Sequence, residues 1–327
     1  MSNFFFRNNQ LLFFFILLII NLTISSQIQT KPKNNSFSKN NHHSFCGVDS
    51  LKTNIFKTSP PPTRSNTKRK LSSKVFTPVR IFFDKTFLES QLNTYPDIEG
   101  IYPLIISALN RAVKAISEII KVEQYEENVF IDKLNRDNLR NIGIETWDES
   151  LNDLELVHQN YDYVLFAKFI TPEDISITAT AYPFELAKDT YRPLLGIIEI
   201  SVYLIYKEKF EEYLKYVFLH ELFHAFGFNY KAFKFFPGGE AASVFTETGV
   251  AGITRTYVKT ERVLNFAKKY FGCDSAKGVE LENQGSEGSV NNHWDSRVLL
   301  GELMNSEQYE DEFVLSEFTL AFLEDSG

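Results

Sequence analysis

Apolar positions repeat along the chain with two periods, and they place most of the elements. Residues 79–83 are β-branched and aromatic and predict a strand. Across residues 101–122, Ile105, Leu109, Val113 and Ile116 fall on one face at helical spacing, which predicts a helix. Residues 163–170 and 195–206 are strongly apolar and β-branched, so two more strands are expected, joined by a turn-rich connection. A helix over residues 209–228 follows, stopped by Gly227 and the polar residues beyond it. The last hundred residues read as mostly helical and irregular, with helices at 261–271 and 312–324. No internal repeat is visible. The pattern is that of an α+β chain, with strands and helices mixed in the first half and little strand signal in the last hundred residues.

The first residues have another character. Arg7 precedes an uncharged apolar run over 11–20, and small polar residues follow at Ser25 and Ser26. This is the layout of a signal peptide, residues 1–26, and it implies a secreted protein or one on the outer face of the cell. Extending the run through Ile24 gives the second reading, an uncleaved signal anchor. Residues 27–76 form a basic leader, with ten Lys or Arg between 28 and 76 against the single acid Asp49. From Thr77 onward 23 basic residues face 41 acidic ones. A basic leader can dock on an acidic body as an inhibitory prosegment, although composition alone reads it as a solvated linker. Nucleic acid is not an expected partner of the acidic body. Cys46 and Cys273 are the only cysteines, too few for a disulfide framework; they either pair with each other or act separately.

The chemistry lies at the end of the 209–228 helix, in His220-Glu221-Leu222-Phe223-His224. A helix advances about 100° per residue, so His220 and His224 share one face and can reach one Zn²⁺. Glu221 can reach a water on that metal, whose pKa zinc lowers towards ~7, and act as its general base. The surrounding Val217, Phe218, Leu219, Leu222, Phe223 and Phe226 mark a buried helix, where histidines without a ligand are costly. A catalytic zinc needs a third protein ligand. Tyr230 stands where a compact metzincin motif has its third histidine. Outside the leader this leaves His158, in a polar acidic stretch, and His293, which Met304 follows eleven residues later. Glu240 and Glu247 are rival third ligands in the manner of thermolysin-like enzymes. A structural zinc site is disfavoured, because such sites carry four ligands and no adjacent base.

Residues 219–228, 270–273, 279–285, 292–295, 301–304 and 320–327 together resemble the leishmanolysin family, metzincin metalloproteases with a long insertion before the third histidine. The resemblance implies a metzincin-like zinc metallopeptidase with a mixed sheet and active-site helix. The N-terminal catalytic subdomain would run over 77–230, and a mostly helical or irregular C-terminal subdomain over 231–327. His220, His224 and His293 match the family's zinc ligands, Glu221 its base and Met304 its methionine turn. Protein or peptide substrates are implied, laid as extended segments along a strand, and cell-surface association with them. A catalytically weak adhesion protein of the same fold is the alternative. Cys46, in His43-Ser44-Phe45-Cys46-Gly47-Val48-Asp49, matches a prosegment cysteine that occupies the zinc until removed, although the second histidine usual before that aspartate is missing. The chain also departs from the family in its few cysteines, with Phe184 where one is expected.

Overall fold

The structure is a computed structural model that describes residues 57–58, 75–123, 133–152, 161–174, 176–187, 190–203, 211–249, 252–285, 288–306 and 313–327. Every described residue belongs to one compact unit, His43–Gly327. The expected signal peptide, most of the expected prosegment, Cys46 and His158 lie outside the described residues.

The strands are β1 (Lys57–Thr58), β2 (Phe76–Pro78), β3 (Ile81–Asp84), β4 (Lys121–Glu123), β5 (Tyr163–Ile170), β6 (Ala179–Leu186), β7 (Pro193–Ser201), β8 (Val244–Thr248), β9 (Thr254–Val258) and β10 (Val279–Glu280). The α-helices are α1 (Thr86–Ser90), α2 (Tyr102–Ile119), α3 (Lys133–Asn141), α4 (Glu211–Ala225), α5 (Glu240–Ser243), α6 (Glu261–Tyr270) and α7 (Glu317–Asp325). The main sheet has the order β1-β6-β7-β5-β3. β3, β5 and β7 run parallel, and β6 is antiparallel to β7.

Both faces of this sheet are covered, which is why β5 reads as an apolar run interrupted only by Lys168. Leu165, Ala167 and Phe169 join the core beneath α2 and α4, with Ile105, Leu109, Val217 and Phe218. Val164 and Phe166, at the alternate positions, pack on the other face against Leu139, Ile144 and Leu151. The larger core continues without a break into Val244, Val258, Trp294, Met304, Phe318 and Phe322.

Two expectations are corrected. The turn-rich connection between the predicted strands contains β6, eight residues long. Pro183 hides it, but Pro183 sits near the sheet edge, where among the described residues β1 covers only Glu185 and Leu186, so its missing N–H breaks little. The C-terminal hundred residues also carry a three-stranded sheet, β10-β9-β8. Its β8–β9 hairpin is rich in threonine and charge and mostly exposed along β8, so it lacks an apolar signature. On α2, Ala112 takes the fully buried position and Val113 is partly buried beside it.

One contact ties the sheet to the end of α4. The Tyr163 hydroxyl donates to the Ala225 carbonyl at 3.3 Å, and its ring stacks on Phe226 with centroids 4.3 Å apart. Gly196 on neighbouring β7 opens the space: a Cβ there would lie 1.6 Å from the tyrosine oxygen and 2.6 Å from its ring. Gly196→Ala should therefore destabilise the chain by ~1–3 kcal/mol or more. Adding Tyr163→Phe should recover only part of that loss, since the ring carbon still clashes. Urea denaturation measures both, and an unchanged midpoint in Gly196→Ala would contradict the packing described.

Candidate metal centre

Helix α4 ends in a turn that its sequence requires. Gly227 takes φ 109°, the left-handed region that glycine enters without strain. Its N–H donates to the His224 carbonyl at 3.0 Å, and the Phe228 N–H reaches back to the Phe223 carbonyl at 2.9 Å. This pair of bonds is a Schellman closure. The turn also brings the Phe228 carbonyl to the His224 ring, where it accepts from Nδ1 at 2.6 Å. Glycine at 227 thus both stops the helix and orients its last histidine.

The other two histidines are held by the same device. His220 Nδ1 donates to the Leu303 carbonyl at 2.6 Å, and His293 Nδ1 donates to the Ser289 carbonyl at 3.0 Å. A carbonyl can only accept, so each Nδ1 carries the ring proton and each Nε2 presents a bare lone pair. The Nε2 atoms face one another: His224 lies 3.0 Å from His220 and 3.2 Å from His293. All three rings are fully buried.

Lone pairs at that separation repel unless a proton or a cation lies between them. A tetrahedral ion with bonds of ~2.0–2.1 Å holds its ligands about 3.3 Å apart, close to the spacing found here. The residues present therefore fit a metal ion. Among the described residues, the His, Cys, Asp or Glu side chains that come close enough to share one are His220, His224 and His293. Glu221, the next residue on α4, is also fully buried.

The rival ligands are engaged elsewhere. Glu240 accepts from the Tyr230 hydroxyl at 2.9 Å, and Glu247 pairs on the surface with Lys277 at 3.1 Å. Tyr230, at the position of a compact third ligand, has its N–H bonded to Asn292 Oδ1 at 3.0 Å. The residue before His293 is thereby docked beside the end of α4. Met304 is fully buried, and its carbonyl accepts from the Trp294 N–H at 3.0 Å, clasping the stretch that carries His293. Cys273 is exposed, with its thiol 3.3 Å from Ser275 Oγ. The carbonyls of Ser289, Leu303 and Phe228 escape sequence reasoning, because a backbone acceptor has no side-chain signature. Only Gly227 hints at one of them.

Comparison with known proteins gives the family. The leishmanolysin peptidase family model matches residues 99–327. The chain belongs to the leishmanolysin family. A leishmanolysin-like peptidase of Caenorhabditis briggsae is 47% identical over 68 residues, 21% of this chain and 10% of the relative. A leishmanolysin homolog of Crithidia fasciculata is 29% identical over 147 residues, 44% of this chain and 21% of the relative. The leishmanolysin of Leishmania chagasi is 25% identical over 168 residues, 51% and 27% of the two chains. The alignments thus span about a quarter or less of these relatives' lengths. Leishmanolysins are a metallopeptidase family, and the histidine triad lies inside the matched region. Among the described residues no helix is long and apolar enough to cross a membrane.

Burial lowers the pKa of His220 and His224 well below the usual imidazole range, and the neighbouring histidines lower both further. Burial pushes His293 down to about 4, against the opposing effect of its bond to Ser289. In the unfolded chain histidine titrates near ~6.5, so between the two values the unfolded state binds more protons. The metal-free chain should hold the full stabilising contribution of His293 above about pH 6.5 and lose it as pH falls towards about 4. Urea midpoints of the chelator-treated chain and of His293→Ala, compared across that range, isolate the effect. Their difference should change with pH, and a constant difference would contradict the depressed pKa of His293.

Proposed function

We propose that the chain is a zinc-dependent endopeptidase of metzincin type, with His220, His224 and His293 as the ligands of one catalytic Zn²⁺. What supports this reading is the set of three bare Nε2 atoms converging beside a buried glutamate, in a chain of a metallopeptidase family. Zinc held there would supply charge to polarise a peptide carbonyl and to make a water molecule acidic at neutral pH. Glu221 would accept the proton of that attacking water and pass it to the departing amine. The three imidazoles, neutral and fixed by their carbonyl partners, would leave one position open to water and substrate. Met304 would form the turn beneath the metal.

Residues 1–26 would be a signal peptide delivering the chain to the secretory route. Residues 27–76 would be a prosegment whose Cys46 thiolate takes the open metal position. N-terminal sequencing of the secreted chain checks the cleavage sites. In leader-bearing chains, Cys46→Ser should cleave faster than the parent, and equal rates would remove the switch.

Zinc content and casein hydrolysis test the central assignment. The parent should carry about one zinc per chain and cleave. His293→Ala should lose the metal. Glu221→Gln should keep it and lose turnover by at least ~10²-fold, the lower end of what general-base catalysis contributes. Zinc retained by His293→Ala would overturn the ligand set, and zinc binding by the parent without cleavage would overturn the peptidase reading.

A further inference from the structure

Glu302 is a buried carboxylate that no step above uses. Its residue is 4% exposed, yet four donors converge on it. One oxygen accepts from the Ser316 N–H at 3.1 Å, the Ser316 hydroxyl at 2.9 Å and the Thr319 hydroxyl at 2.5 Å. The other oxygen accepts from the Met304 N–H. Thr319 has one hydroxyl proton, and its direction is set, because the same oxygen must accept from the Trp294 indole N–H at 2.9 Å. The carboxylate therefore gathers the start of α7, the indole next to His293 and the turn at Met304.

The Met304 bond has a consequence for the metal centre. The Met304 N–H and the Leu303 carbonyl belong to one peptide unit, which is planar and trans. Its N–H is held by Glu302, and its carbonyl receives the His220 Nδ1 proton. We propose that Glu302 is a positioning residue that fixes and polarises His220 through the Leu303–Met304 peptide unit. A carboxylate on the N–H end makes the carbonyl end a stronger acceptor, since hydrogen bonds in a chain reinforce one another. A stronger acceptor at Nδ1 makes Nε2 a better donor to a metal. Metal-bound histidines often give Nδ1–H directly to a carboxylate; here one peptide unit stands between the two groups.

Glutamine cannot replace this residue. Its amide has one acceptor oxygen and one NH₂ group. Either orientation turns the NH₂ towards an obligate donor, the Met304 N–H or the Ser316 N–H. The peptide unit must then shift or lose a bond, and His220 loses its fixed partner.

The inference rests on the three histidines binding a metal, so its test separates the two. Zinc affinity is measured by competition with a chromophoric chelator, and the d–d absorption of the Co²⁺-loaded chain is recorded, for the full chain and its variants. Glu302→Gln should lower zinc affinity by ~10–100-fold and shift the cobalt band, with parent-like far-ultraviolet circular dichroism. Should Glu302→Gln fail to fold, Ser316→Ala removes a hydroxyl donor and keeps the amide donor. It should move the cobalt band in the same direction with a smaller loss of affinity. A folded Glu302→Gln, or in its place Ser316→Ala, with the parent's affinity and spectrum overturns the role of Glu302 and leaves the metal site standing. A parent that binds neither ion overturns the metal site itself.

Discussion

Three imidazoles can share one buried space only if none is charged and each ring proton is spent away from the others. The chain meets this condition with backbone carbonyls, those of Leu303, Phe228 and Ser289. Two of them, those of Phe228 and Ser289, lie four residues from the histidine they serve, and the third comes from far along the chain. The Phe228 carbonyl is four residues from its histidine and comes from the helix end itself, whereas the Leu303 carbonyl is 83 residues from His220. The C-terminal segment must therefore fold back onto α4 before the site exists. The continuous core, from the sheet through Trp294 and Met304 to Phe318 and Phe322, makes that return favourable.

The sheet and the histidine triad are linked at the end of α4. Tyr163, rising through the gap left by Gly196, holds the Ala225 carbonyl one residue after His224. Gly227 then reverses the chain. On the far side, the Asn292 contact with Tyr230 holds one C-terminal stretch beside the end of the helix, and the Trp294 contact with Met304 ties the next stretch to it. Two of the three histidines thus stand on a helix braced from the sheet, and the irregular segment that carries the third is held by the C-terminal core.

The sequence reveals this arrangement unevenly, and the reasons are physical. β5 spans the residues its apolar run predicts, and α4 lies within the predicted helix, because burial on every side leaves a strong local signal. His220 and His224 are legible because helical spacing alone puts them on one face. His293 lies 69 residues beyond His224, and no local pattern can measure such a return; elimination leaves it beside His158, and Met304 and the family resemblance single it out. β6 is masked by Pro183, the β8–β9 hairpin by its polar exposed face, and the carbonyl partners by having no side chain at all.

The most direct test of the central claim is the anomalous diffraction of crystals of the zinc-loaded chain at the zinc absorption edge. One peak is predicted, ~2.0–2.1 Å from the Nε2 atoms of His220, His224 and His293, with all three Nδ1 atoms still on their carbonyl partners. A peak elsewhere, or a histidine of the three turned away from the ion, would contradict it.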